Sequence, residues 1–113
     1  MTEQAPAPVV RHVDARHRYE ILLAGERVGL TAYRDRDRQR VFVHTEVDAA
    51  HSGQGLAGIL VRAALTDVRA SGRRIVAVCP YVARYLKRHG EFADITDPVT
   101  PAVFQWLNGV LGR

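Results

Sequence analysis

The sequence predicts an α/β (α+β) domain with a mixed, mostly antiparallel sheet and helices on its faces. Residues 41–48 alternate with a period of two, which is typical of a strand whose two faces meet different surroundings. Beyond a glycine-rich turn, apolar residues recur at helical spacing from Leu56 onward, and a short apolar run follows at residues 75–79. Strand, helix and strand in this order form a right-handed crossover, so the two strands should be parallel.

The chain before this crossover unit reads as two further strands. Residues 19–23 and 28–33 flank a tight turn, and the charged residues 34–40 lead into the strand at 41–48. Short connections favour neighbouring positions in a sheet, so we expect a three-stranded antiparallel meander. Within its second strand, three alternating residues are predicted to face the core: Val28, Leu30 and Ala32.

The elements after the glycine-rich turn follow from helix start and stop signals. The first helix should end near Gly72, and a short helix should run from Pro80 toward Gly90. Residues 91–95 read as an extended piece. A terminal amphipathic helix should begin with Thr100 as N-cap and Pro101 as its first residue, and we expect it to close the core rather than bind a partner.

Length and composition indicate one domain. With 113 residues, the chain is expected to form a single domain over residues 10–113, preceded by a disordered tail at residues 1–9. No apolar run approaches a membrane span and the N-terminus lacks a signal-peptide pattern, so we expect a cytoplasmic protein. The single Cys79 cannot form an internal disulfide, and the histidines show no metal-ligand spacing.

The net charge of +4 comes almost entirely from arginine, with fifteen Arg and one Lys. Arginine favours bidentate contacts with phosphate and carboxylate, so acidic ligands fit this composition. In residues 34–40, however, arginines interleave with acids, which a solvated hairpin tip explains as well as a nucleic-acid surface does. This hairpin is the support for one alternative function, a basic nucleic-acid-binding domain.

Glycines open the predicted first helix. Backbone N–H groups and the positive end of the helix dipole make such a turn a cradle for phosphate. Residues 53–58 match the dinucleotide pattern GxGxxG, but the following strand at 75–79 lacks the acid that would hold a ribose. The turn also lacks the Gly-Lys-Ser/Thr ending of a P-loop. His51 is placed to flank this turn.

The order of these motifs resembles the GNAT superfamily of acyl-CoA-dependent N-acetyltransferases. The resemblance rests on the meander, a strand that carries Glu46, the turn at 53–57 and a parallel strand that ends in Cys-Pro-Tyr at 79–81. More closely, the chain resembles a small single-domain GNAT-like family with Cys-Pro-Tyr and an Ala-x-x-Leu-x-x-His helix, here 83–89. It implies a minimal GNAT-like acyl-CoA N-acyltransferase fold without the two N-terminal helices of larger relatives.

The resemblance also implies acetyl-CoA (coenzyme A) as cofactor. Gly55 and Ala57 match the last two fixed positions of the family's pyrophosphate loop, while Ser52 replaces its first, a long polar residue. The strands ending near Asp48 and Cys79 should diverge, with pantetheine between them against the backbone of residues 46–48. The candidate cofactor-binding residues are Val47, Asp48, Gly53, Gln54, Gly55, Leu56, Ala57, Gly58 and Tyr85.

Four residues are candidates for the chemistry. Acetyl transfer to an amine needs a base, for which we choose Glu46, with His44 two residues back on the same strand face. Cys79 is either a buried small hydrophobe or a thiol near the transfer site. Tyr81 is a candidate to stand near the leaving thiol, and Tyr85 has a core position as its alternative.

The function expected from the resemblance is transfer of acetyl from acetyl-CoA to a primary amine, on a small molecule or a protein. The alternative from a different class is a non-catalytic acyl-CoA-binding or regulatory module. For that module, Glu46→Gln would leave the biological role intact, whereas Gly55→Glu would abolish it.

Overall fold

The computed structural model describes residues 6–112. They form one six-stranded sheet whose strands lie in sequence order. The strands are β1 (Val9–Val13), β2 (Arg18–Leu23), β3 (Glu26–Arg36), β4 (Gln39–Val47), β5 (Arg74–Ala77) and β6 (Thr96–Asp97). The pairs β1–β2, β2–β3 and β3–β4 are antiparallel and the pairs β4–β5 and β5–β6 are parallel, so the predicted mixed and mostly antiparallel sheet is confirmed.

Three α-helices cover the sheet: α1 (Leu56–Ala70), α2 (Pro80–Arg88) and α3 (Pro101–Val110). All three begin where the sequence predicts. At α3 the Thr100 hydroxyl accepts a hydrogen bond from the Val103 N–H at 3.3 Å, as expected of an N-cap. Short 3-10 segments occur at Asp14–Arg16, Ala49–His51 and Gly90–Ile95. Over residues 6–112, none of the helices is long and apolar enough to cross a membrane.

The sheet separates two apolar layers. Consecutive residues of β4 point to opposite faces, so Phe42 packs under α1 and α2 whereas Val41 packs under α3. On the α3 side, Val103 and Leu107 cover Val41 and Val76. The prediction that the terminal helix closes the core is therefore confirmed. The α1 side holds the larger cluster, including Tyr19, Ile21, Tyr33, Leu60, Val61, Leu65, Val68, Ile75, Val82 and Phe92.

Strand β1 was not predicted. It pairs with β2 from Val9↔Leu22 to Val13↔Arg18 at the edge of the sheet. Its polar side chains are held by cross-strand contacts, as where Arg11 forms an ion pair with the buried Glu20 at 2.8 Å. Val9, assigned to the predicted tail, lies in this strand, while residues 1–5 of that tail lie outside the described part of the chain.

The prediction of an extended segment at residues 91–95 is wrong. Gly90–Ile95 form a 3-10 helix, and the extended backbone that pairs with β5 is Thr96–Asp97. The helical turn buries Phe92 against α1 and α2, and the Thr96 hydroxyl donates a hydrogen bond to the Phe92 carbonyl at 2.8 Å. Burial of one aromatic side chain outweighs the strand propensity of this short run.

Two β-bulges set which residues face α1. In β3, the register moves from Ile21↔Gly29 to Leu22↔Arg27, so Val28 is an extra residue. Beyond it, the α1 face is taken by Gly29, Thr31 and Tyr33. The prediction that Ala32 faces the core is thus wrong, since Ala32 is half-buried. Leu30 is buried as predicted, but outside the α1 cluster.

The second bulge lies in β4. Ala32 pairs with His44 but Tyr33 pairs with Phe42, so Val43 is the extra residue. After it, Thr45 and Val47 face α1, and His44 and Glu46 face the other side.

The pairing between β4 and β5 ends at the bulge in β4. Their pairing runs from Gln39↔Arg74 to Phe42↔Ala77, and the Cys79 N–H donates to the Phe42 carbonyl at 2.8 Å. Residues 43–47 continue β4 without a β5 partner in the described chain, because the chain turns into α2 after residue 79. The pairing of the two strands thus ends before β4 does, and their predicted divergence stays a prediction.

Candidate functional site

The turn between β4 and α1 has the open backbone geometry that the sequence predicts for an anion cradle. Gly53 and Gly55 have φ angles of +79° and +75°, which favour glycine, and Gly55 is the N-cap of α1. A Cβ added at either residue would meet no atom of the described chain within 4 Å. The first helical hydrogen bond runs from Ile59 N–H to the Gly55 carbonyl at 3.3 Å, so the N–H groups of residues 56–58 are available to a ligand.

A pocket of about 310 Å³, here called the phosphate pocket, lies against this turn. It brings together most of the predicted cofactor-binding residues and one predicted catalytic residue. The catalytic candidate is Tyr81, whose hydroxyl lies 3.9 Å from the position that a Cβ on Gly58 would take. The lining residues are Val47, His51, Ser52, Gly53, Gly55, Leu56, Ala57, Gly58 and Tyr81.

Three predicted cofactor-binding residues lie outside the phosphate pocket. Gln54 lines a neighbouring pocket of about 530 Å³, and Asp48 is exposed. Tyr85 is 8% exposed in the α1 core and stacks on His89 with ring centroids 4.0 Å apart. Burial raises the pKa of Tyr85. The sequence placed Tyr85 correctly on α2. Its burial matches the alternative in which Tyr85 is a core residue rather than a cofactor-binding residue.

His51 lies between the two pockets and lines both. Its Nδ1 is buried and has no hydrogen-bond partner among the described residues. A buried polar atom without a partner is costly, and a ligand group in either pocket would relieve that cost. The prediction that His51 flanks the glycine turn is confirmed, since it lines one pocket together with the glycines of the turn.

The free edge of β4 supplies backbone groups beside the phosphate pocket. The Asp48 N–H bonds to the Val28 carbonyl at 2.8 Å, which makes these two a hydrogen-bonded pair of the antiparallel ladder. By alternation along β4, the backbone groups of Thr45 and Val47 point away from β3, toward the gap left by β5. Within the predicted range 46–48, the backbone groups of Glu46 and Asp48 therefore point toward β3, and those of Thr45 and Val47 are the ones that face the gap. A pantetheine partner at this edge stays a prediction.

Cys79 lies where β4 and β5 separate. Its side chain is 3% exposed, and its thiol donates to the Thr45 hydroxyl at 3.4 Å. That hydroxyl also bonds the Thr31 hydroxyl at 2.9 Å. Tyr81, two residues later, lines the phosphate pocket, so the structure brings both residues to the same edge.

Glu46 and His44 form a pair on the opposite face of the sheet. The distance between His44 Nε2 and Glu46 Oε2 is 3.7 Å, and the side chains are 61% and 57% exposed. The prediction that they share a face is confirmed. They lie across the β4 backbone from the phosphate pocket, at the level where β5 has ended.

The basic hairpin offers a smaller surface than its sequence suggests. Arg40 is 4% exposed, and its guanidinium makes two hydrogen bonds to Asp35 at 2.8 and 3.0 Å. Arg73 lies 3.7 Å from the same carboxylate. Part of the charge of residues 34–40 is thus used inside the fold, which weakens the nucleic-acid alternative.

A family model described as GCN5-related N-acetyl-transferase matches residues 18–95. The chain belongs to this family. The predictions of a GNAT superfamily member, a GNAT fold and an N-acetyltransferase are confirmed at the level of the family. The residues that match the GCN5-related N-acetyltransferase family run from β2 through the 3-10 segment after α2. Membership of the subgroup with a Cys-Pro-Tyr motif stays a prediction.

Solved structures of the family share the fold at low sequence identity. A GCN5-like protein from Staphylococcus aureus has a TM-score of 0.62 at 19% identity, with 82% of this chain and 91% of that chain covered. The ribosomal-protein-S18-alanine N-acetyltransferase from Escherichia coli has 0.56 at 12% identity, with 65% and 50% covered. Ard1 from Thermoplasma volcanium has 0.52 at 21% identity, with 66% and 54% covered. The chain spans about half the length of the latter two. A search of curated protein sequences finds no match.

Proposed function

We propose that the chain transfers an acetyl group from acetyl-CoA to a primary amine. The observation that carries the proposal is the continuity between the phosphate pocket at the start of α1 and the free edge of β4. A cradle with left-handed glycines and open space fits a pyrophosphate, and unpaired strand-edge groups fit the amides of an extended chain.

Each part of the site has a role in this proposal. Backbone N–H groups at residues 56–58 bind the pyrophosphate, and the backbone of Thr45 and Val47 aligns the pantetheine. When bound, the cofactor supplies an acetyl thioester. Glu46, together with His44, takes the proton that the amine loses. Tyr81 and Cys79 stand at the strand edge where a thiol would leave, and either can supply it with a proton.

The name of the Escherichia coli relative gives ribosomal protein S18 as its acceptor. That acceptor is a property of the relative and is not transferred to this chain. For this chain, the proposed acceptor is a primary amine on a small molecule or a protein. The alternative of a non-catalytic acyl-CoA-binding module shares the phosphate pocket but gives no proton-transfer role to Glu46, His44, Tyr81 or Cys79.

Thermal unfolding tests the cofactor part of the proposal. A ligand at about 100 times its dissociation constant stabilises the fold by about 2.7 kcal/mol, which corresponds to a rise of roughly 10 °C in the unfolding midpoint of a domain this size. We expect this rise with acetyl-CoA and with coenzyme A, and none with NAD or a short duplex DNA. A rise with DNA that falls steeply with salt would instead support the nucleic-acid alternative.

A second prediction concerns the base. Glu46→Gln removes the carboxylate partner of His44 at an exposed position, so the fold should be unaffected. We expect the transfer rate to fall about 100-fold and its pH profile to change, because general-base catalysis typically contributes a factor of this order. The measurement is kcat/KM against pH, with the matched exposed change Glu91→Gln as the control. An unchanged rate and profile in Glu46→Gln would remove Glu46 from the mechanism.

A further inference from the structure

A second pocket, here called the α3 pocket, opens on the face of the sheet opposite the phosphate pocket. Its volume is about 250 Å³. Its floor comes from β4 and the residue before Cys79, and its roof comes from α3. The lining residues are Val43, His44, Val78, Phe104, Leu107, Asn108 and Leu111.

The α3 pocket meets the cofactor site at the gap between β4 and β5. Val43 and His44 are the first two residues of β4 past its last β5 pair, at Phe42. Side chains alternate across the backbone, so His44 lines this pocket while Thr45 contacts Cys79 on the other face. A single layer of β4 backbone, paired with β3 but without a β5 partner in the described chain, therefore separates the α3 pocket from the Cys79 thiol.

The chemistry of the α3 pocket restricts what it can hold. Among the described residues that line it, none carries a carboxylate and two are polar, His44 and Asn108. A second positive charge on a ligand, as in a polyamine, would therefore lose its hydration without gaining an ionic partner inside the pocket. The apolar walls and a volume just below the usual range for drug-sized ligands favour a small apolar group.

We propose that the α3 pocket binds the acceptor, a small primary amine carried on an apolar or aromatic group. The inference rests on the proposed function. The amine nitrogen bonds to the acetyl carbon as the carbon–sulfur bond of the thioester breaks. The proton lost by nitrogen passes to the Glu46 carboxylate, directly or through the His44 imidazole 3.7 Å away, and the thiolate takes a proton from Tyr81 or Cys79. His44 lines the pocket and contacts the amine.

Phe104 gives this proposal a clean variant. Its side chain is 50% exposed while lining the α3 pocket, so Phe104→Ala should remove an aromatic wall without unfolding the protein. Val110→Ala is the matched control, since Val110 is an apolar residue of the same helix, 43% exposed and outside the pocket lining.

The experiment uses the full chain labelled with ¹⁵N, and phenethylamine and putrescine as probes. With coenzyme A present, we expect phenethylamine to shift the amide signals of His44, Val78 and Asn108, and putrescine to leave them in place. In steady-state transfer from acetyl-CoA, Phe104→Ala should raise the KM for phenethylamine about tenfold with little change in kcat, and Val110→Ala should match the wild type.

The failures of the two proposals have different signatures. Coenzyme A that shifts the amides of residues 53–58, combined with equal acetylation of putrescine or with no effect of Phe104→Ala, would overturn the acceptor inference alone. Phenethylamine that binds but is not acetylated would overturn it in favour of the non-catalytic module. Coenzyme A that leaves those amides unshifted would overturn the proposed function, whatever the amine does in the α3 pocket.

Discussion

The Gly55→Glu protein is expected to lose the rise in unfolding temperature that coenzyme A gives the wild type. Gly55 precedes α1 at φ +75°, with open space where a side chain would extend. A carboxylate there would place a negative charge beside the helix N-terminus, where the pyrophosphate of the ligand should lie. Repulsion between the two anions and the loss of space should weaken binding by at least about 100-fold, which corresponds to roughly 2.7 kcal/mol.

The substitution should leave the fold intact. A residue with a Cβ at positive φ costs about 1 to 2 kcal/mol. A negative charge at the first turn of a helix returns about 0.3 to 1 kcal/mol of that cost. We therefore expect a modestly lowered midpoint in the absence of ligand, so that the missing response to coenzyme A can be measured on a folded protein.

Gly72→Glu is the matched control. Gly72 has φ +74°, lies just beyond the other end of α1, and a Cβ there would also meet no described atom within 4 Å. This variant carries the same charge and the same backbone strain far from the phosphate pocket, so it should keep the full response to coenzyme A. An undiminished response in Gly55→Glu as well would show that the glycine turn does not hold the pyrophosphate.

The order of secondary structure was predictable because the signals for it are local. The change of period across Gly53 and Gly55, the Pro-initiated helices and the apolar run of β5 each depend on a few neighbouring residues. β1 escaped prediction because it is a short edge strand whose polar residues are satisfied by partners on β2, such as Glu20 for Arg11. Such partners are distant in sequence and leave no periodic pattern.

The candidate site was predictable in its residues and less so in its geometry. The glycine motif located the phosphate pocket, and Val47, a predicted cofactor-binding residue, lines it. Tyr81, which was predicted near the leaving thiol, lines it as well. The bulge at Val43, however, decides that Thr45 faces the α1 side of the sheet and His44 the α3 side. A bulge adds one residue to one strand of a pair, so it is a property of the register between two strands and cannot be seen in the alternation of β4 alone.

The role of Arg40 was also hidden from the sequence. In a run of alternating arginines and aspartates it looks like its solvated neighbours, yet it is 4% exposed. Its guanidinium lies 4.0 Å from the centroid of the Tyr33 ring and donates to the Tyr19 hydroxyl at 2.6 Å. That hydroxyl in turn donates to Asp67 of α1 at 2.6 Å. One arginine thus joins the hairpin, the sheet and the first helix.

Arg40→Ala is therefore expected to be among the most destabilising single changes in the chain. It would leave Asp35 without its two hydrogen bonds and open a cavity beside Tyr33. Removing one partner of a buried ion pair typically costs about 3 to 5 kcal/mol, and since Asp35 is 28% exposed we expect a value near the lower end, about 3 kcal/mol. Chemical denaturation of both proteins at pH 7 measures this difference, and Arg38→Ala, an exposed change at the tip of the same hairpin, should stay within about 0.5 kcal/mol of the wild type.

The pH dependence of the stability difference between wild type and Arg40→Ala shows whether the ion pair with Asp35 or the packing on Tyr33 causes it. Burial acts to raise the pKa of Asp35, but the hydrogen bonds and charge of Arg40 outweigh it and hold the pKa below its ordinary value of 3.8. A carboxylate with a lowered pKa in the folded state stabilises the fold above its unfolded pKa, and this contribution is lost as the pH falls through the folded pKa. The gap between wild type and Arg40→Ala should therefore narrow below about pH 4 as Asp35 becomes protonated in both proteins. A gap that stays constant down to pH 2.5 would mean that Arg40 acts through its packing on Tyr33 rather than through the ion pair.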